Sequence, residues 1–123
     1  MRIAAAAGAV AGIAALLAPA ELAAIFGVAL DDVGRSQERL LGAIYIGNAM
    51  IVWISRDIRE PAAQRAIALG NVVAWALSLI VVVAGIVAGL AGPQSWALVA
   101  MEAAFTAAWG YFAISDRSEA GTG

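Results

Sequence analysis

The chain has 123 residues, 63% of them hydrophobic and 13% charged, with a formal net charge of −2 and a mean hydropathy of +0.90. That balance lies well outside the range of water-soluble domains. Cysteine and histidine are absent and every basic side chain is an arginine, which excludes disulfides, thiolate metal and iron–sulfur sites, the usual haem and zinc ligands, and lysine Schiff bases. No cofactor or metal is expected, no basic patch is dense enough for nucleic acid, and no catalytic motif argues for an enzyme.

A bilayer core about 30 Å thick needs roughly 20 helical residues to cross it. Four apolar segments approach or exceed that length. The expected fold is therefore all-α, a single integral membrane domain over 1–123. It is an antiparallel up-down bundle of four transmembrane helices at about 3–26, 37–55, 66–92 and 95–115. The opening Met1-Arg2, followed by an apolar stretch ending Ala18-Pro19-Ala20, imitates a secretory signal. Apolar character resumes after Glu21, so the segment reads as an uncleaved first helix. Pro19 either kinks it or starts a separate half-helix over Pro19–Val28. The stretch Gly27–Arg39 carries Asp31, Asp32, Arg35, Glu38 and Arg39 and reads as an aqueous loop. A second helix follows from near Ser36 or Gln37. Arg56–Arg65, punctuated by Pro61, forms the next loop. The third helix is long, about 40 Å at 1.5 Å per residue, and ends at the Gly92-Pro93 turn. The fourth fades into the polar tail Asp116–Gly123.

Arginine asymmetry gives the orientation. Arg2, Arg56, Arg59, Arg65 and Arg117 fall on one side, and Arg35 and Arg39 on the other. Both ends are therefore expected in the cytoplasm. The abundance of alanine and the exclusive use of arginine fit a GC-rich bacterial genome, and the expected location is a bacterial inner membrane. Trp53, Trp96 and Tyr111 read as interfacial anchors. Arg56, Arg59 and Arg65 read as contacts to anionic headgroups.

Lipid gives helices no hydrophobic reason to associate, so close contact needs small residues or polar ties. Gly8 and Gly12 form one GxxxG, and Gly85 and Gly89 form another. In the third helix Asn71, Trp75, Ser78, Val82, Gly85 and Gly89 share one face. These small-residue stripes either pack the bundle itself or form a homodimer seam. Asn48 and Asn71 lie at similar distances from the loop between their helices, which would let them hydrogen-bond.

Glu102 lies about 10 Å along the fourth helix, where an ionisable group costs a few kcal/mol unless paired, protonated or wetted. Arg39 is the expected ion-pair partner, Glu21 competes in the same half of the bilayer, and Thr106 and Tyr45 flank the site. Three readings of Glu102 stay open: an ion pair that fixes the bundle, a ligand- or proton-binding carboxylate, and a contact with another subunit.

The pattern Pro19…Phe26-Gly27…Glu38-Arg39-Leu40-Leu41-Gly42-Ala43…Trp53…Arg56, followed by Glu102, resembles small four-helix bacterial integral membrane proteins of unknown function. The resemblance implies the fold and the weight of Arg39 and Glu102, and it supplies no activity. The small multidrug exporters share the length and a membrane carboxylate, but theirs sits in mid-helix 1, whereas Glu21 follows a proline near the outer end. The expected function is a non-enzymatic module that binds a lipid or other hydrophobic molecule or supports the membrane. The alternatives are an accessory subunit of a membrane complex and a small proton-coupled transporter using Glu102 or Glu21. The lipid bilayer is the expected partner, with a homo-oligomer or a membrane-complex partner as further candidates.

Overall fold

A computed structural model of the chain describes residues 2–115. Arg117 and the rest of the polar tail lie outside it. All regular structure among the described residues is helical: α1 (Arg2–Leu17), α2 (Pro19–Ile25), α3 (Asp32–Ser55), α4 (Pro61–Val87), a 3₁₀ turn (Pro93–Ser95) and α5 (Trp96–Ser115).

The first expected helix is two. Proline disfavours helical backbone in the residue before it and brings no N–H of its own. Ala18 accordingly leaves the helical region, and Pro19 opens α2 as its first residue. The break turns α2 by 117° from α1. At the far end of α2, Gly27 takes a positive φ of 72°, a conformation open to glycine, and swings the chain toward the α4–α5 turn. There the Phe26 carbonyl accepts from Gly92 N at 3.0 Å and from Ser95 Oγ at 2.9 Å. A Cβ on Gly27 would come within 2.8 Å of the Gln94 amide and 2.9 Å of Gly92 Cα, so the clasp also requires glycine for close approach.

Helix α3 begins earlier than its apolar run suggests. The Asp31 side chain accepts from Gly34 N at 2.7 Å, satisfying one of the free donors of the first turn, and the larger part of the expected aqueous loop, from Asp32 on, is helical. Helix α4 likewise starts at Pro61, where a missing N–H costs nothing. It stops at Val87 rather than Gly92. Gly89, with φ 72°, donates to the Ile86 carbonyl, and Leu90 donates to that of Gly85. This is the bonding of a left-handed helix stop. Gly89 thus ends the helix instead of packing it. A Cβ on Gly85 would meet nothing within 4 Å, so Gly85 and Gly89 do not pack the bundle of a single chain.

The helices associate as two antiparallel pairs, α1 with α3 and α4 with α5, with less backbone contact between the pairs. Gly12 and Gly42 bring α1 and α3 nearly into backbone contact: a Cβ on Gly12 would lie 2.7 Å from the Gly42 carbonyl oxygen, and one on Gly42 would lie 2.8 Å from Leu16 N. Gly8 faces Ala49 one turn further on, at ordinary van der Waals distance. Between the pairs, Ala5, Val52, Ala68, Trp109 and Ala113 form the buried apolar cluster.

Helix α4 and the segment Pro93–Ser115 are each long and apolar enough to cross a membrane, and the bent pair α1–α2 makes a third if taken as one span. Much of the outer surface is apolar. Val10, Leu17, Val81, Val87 and Leu90 are each exposed over more than two thirds of their surface.

Gly12→Leu or Gly42→Leu should destabilise the protein by about 1–3 kcal/mol, because the backbones cannot separate without losing the pair. Gly85→Ala should be neutral or stabilising by about 0.5–1 kcal/mol, since it fills no occupied space and favours helix. Thermal unfolding in one detergent distinguishes the two classes.

Candidate functional site

Glu102 is the most deeply buried ionisable side chain among the described residues, with 2% of its surface exposed. It projects from α5 toward α4, where Ser78 Oγ donates to its Oε1 at 2.7 Å. Its other oxygen, Oε2, is buried and has no hydrogen-bond partner among the described residues.

The expected Arg39–Glu102 ion pair is absent. The ion pairs among the described residues are the local ones Arg35–Asp32 at 3.7 Å and Arg56–Asp57 at 3.4 Å, and Arg39 is exposed. The reason is rotational. One residue turns the helix by roughly 100°. On α3 it is Glu38 that is half-buried, two turns before the half-buried Tyr45. The Tyr45 phenol approaches Ser78 and lies within electrostatic reach of both Glu102 and Glu38. Glu21 is exposed on α2 and forms no ion pair there. Thr106 does not address the carboxyl group: its Oγ1 donates to the Glu102 backbone carbonyl at 2.8 Å, a bond within the turn of its own helix.

One turn deeper, Asn48 Nδ2 donates to Asn71 Oδ1 at 3.2 Å, and Asn71 Nδ2 donates to the Ile67 carbonyl at 2.9 Å. This tie joins α3 to α4 across the boundary between the two helix pairs. Beside it lies a cavity of about 20 Å³ lined by Gly8, Tyr45, Asn48, Asn71, Trp75 and Trp109, so that all four long helices contribute. Such a space is large enough for about one water molecule and too small for an organic ligand.

An aromatic stack bridges the same boundary. Tyr45 and Trp75 lie with ring centroids 6.5 Å apart, and Trp75 and Phe105 with centroids 4.8 Å apart and planes 17° from parallel. Stacks of this kind contribute about 0.5–1.5 kcal/mol beyond the area they bury. Neither the stack nor the Ser78–Glu102 bond is expected from the sequence reading. Ser78 and Trp75 share the inward stripe of α4, and that shared face is the signal from which both could have been found. At the other end, the Arg56 guanidinium sits 3.9 Å over the Trp53 ring, on the exposed surface. No cluster of His, Cys, Asp and Glu among the described residues could hold a metal ion.

Comparison with known proteins adds no assignment: no family model, no curated protein and no solved structure matches the chain.

Ser78→Ala should cost about 1–3 kcal/mol by leaving a second carboxyl oxygen unpartnered. Its effect should be non-additive with Glu102→Gln. Arg39→Gln should change stability by less than about 0.5 kcal/mol and add independently to Glu102→Gln. Double-mutant cycles by thermal or denaturant unfolding check all three values.

Proposed function

We propose that this chain is a small non-enzymatic polytopic membrane protein, a four-span helical bundle that serves as a structural module in contact with lipid or another hydrophobic molecule. The observation that carries the reading is its distribution of polarity. Large apolar side chains cover the outside, whereas a carboxyl–hydroxyl pair and an asparagine pair are sequestered within. Water would favour the reverse arrangement; hydrocarbon favours this one.

Helix lengths fit the proposal. At 1.5 Å per residue, α4 and α5 reach about 40 and 30 Å, enough for a core of about 30 Å. Helix α3 reaches about 36 Å, of which its apolar part, residues 40–55, covers about 24 Å. Helix α1 reaches about 24 Å and is the short member. Its shortfall is accommodated by α2, which turns aside and would lie along the outer interface with Glu21 toward water. Both ends of the described chain then face the cytoplasm, by the arginine distribution.

The cavity beside the asparagine pair is too small for an organic ligand, so a hydrophobic molecule would be held on the outside. The angle between α1 and α2 forms an open groove lined by Ile3, Val10, Ala14 and Leu22, and an acyl chain matches its chemistry. Native mass spectrometry of protein extracted gently from its membrane should show retained lipid. Stoichiometric recovery of other proteins in its place would make the chain an accessory subunit.

The absence of cysteine makes the topology directly testable. Ser36→Cys should react with an impermeant thiol reagent from the outside of intact cells, and Arg59→Cys should react only after permeabilisation. Equal reactivity of the two in intact cells contradicts the four-span arrangement.

A further inference from the structure

We propose that Glu102 is a proton-exchange site, reached along the boundary between the two helix pairs from the Glu38 end of α3. Its carboxyl group is buried on all sides, with one oxygen bonded to Ser78 and the other facing no donor. A carboxylate in such surroundings needs a cation to cancel its charge, and the described residues place none beside it. Helix α3 brings Glu38 and Tyr45 to this side and leaves Arg39 outside. Helix α4 brings Ser78, its nearest charged group being Arg65, about 20 Å further along. Helix α1 carries only Arg2, at the far end, and Glu21 on α2 is exposed. On α5 the other ionisable group is Tyr111, which is exposed. A metal cation would require several converging oxygens, and Glu102 and Ser78 offer too few. A proton fits the donor set: bound at Oε2 it cancels the charge and leaves Oε1 to accept from Ser78.

The route follows from the same residues. Glu38 is half-buried near the start of α3, Tyr45 lies about 10 Å further along that helix, and the phenol is within electrostatic reach of Glu38 and of the Ser78–Glu102 pair. Carboxyl, phenol, hydroxyl and carboxyl thus form a polar line from one end of the molecule into its middle. Ser78 Oγ hands its proton to Oε1 as it takes one from the phenol, which is refilled from Glu38 through water. Rotation of the protonated carboxyl group about Cγ–Cδ then places the proton on the oxygen turned away from Ser78. The inference rests on the membrane-bundle reading, and thiol topology tests that reading separately.

Infrared spectroscopy of the protein in lipid vesicles provides the test. The wild type should show a protonated-carboxyl C=O band that shifts in D₂O and is lost in Glu102→Gln. In Glu38→Gln the band should remain but shift more slowly after transfer to D₂O. A spectrum unchanged by Glu102→Gln, or a Glu102 band that never shifts in D₂O, would overturn the assignment. An unaltered exchange rate in Glu38→Gln would overturn the route. If Glu102→Gln does not fold, the wild type decides the site through dicyclohexylcarbodiimide. Its C=N bond takes up the carboxyl group, oxygen bonding to carbon and the proton passing to nitrogen, and peptide mass mapping locates the adduct. Labelling at Glu102 that falls as pH rises supports the site; labelling confined to exposed carboxylates removes it.

Discussion

Two helix pairs meet in this protein without their backbones approaching closely, and everything else depends on how the boundary between them is filled. Within a pair, glycine lets helices touch: Gly12 and Gly42 leave no space for a Cβ on either side. Between pairs, longer side chains must span the gap. In the proposed membrane setting, hydrocarbon does not reward helices for hiding apolar surface from it, and the span would rely on packing and on polar ties.

Those ties are graded along the boundary. At one end the Phe26 carbonyl holds Gly92 and Ser95, locking the bent α2 segment onto the α4–α5 turn. Midway, the stack of Tyr45, Trp75 and Phe105 crosses from α3 through α4 to α5, with the Ser78–Glu102 bond beside it. Deeper, Asn48 and Asn71 join α3 to α4 next to a cavity that fits a single water. At the far end the contact becomes apolar, with Ala5 and Val52 against Ala68, Trp109 and Ala113. Each polar tie of this kind contributes only about 0.6 kcal/mol on average. Shape and register, more than any single bond, hold the pairs together.

The helical character and the inward stripe of α4 were legible from hydropathy and spacing, because a long apolar run has few alternatives to helix. The match in depth of Asn48 and Asn71 was legible for a similar reason: two helices leaving one short loop share a ruler. The partner of Glu102 was not. Choosing Arg39 over Glu38 needs a helix rotation correct to within one residue, and sequence alone does not set rotation. Ser78 was passed over because a hydroxyl in a helix can satisfy itself on its own backbone, as Thr106 does. Gly85 and Gly89 misled because a GxxxG spacing looks the same whether it packs a helix or its last glycine stops one. The start of α3 was hidden because Asp31 caps a first turn that is itself polar.

The chain contains just two asparagines, Asn48 and Asn71, and both belong to the boundary on which the account depends. Selective ¹⁵N labelling of asparagine in lipid nanodiscs therefore isolates their side-chain amides for NMR. The account predicts slow exchange of both amides with bulk water and a through-space contact between the Asn48 amide protons and Asn71. Rapid exchange of both amides with no contact between them would contradict a closed boundary between the two helix pairs.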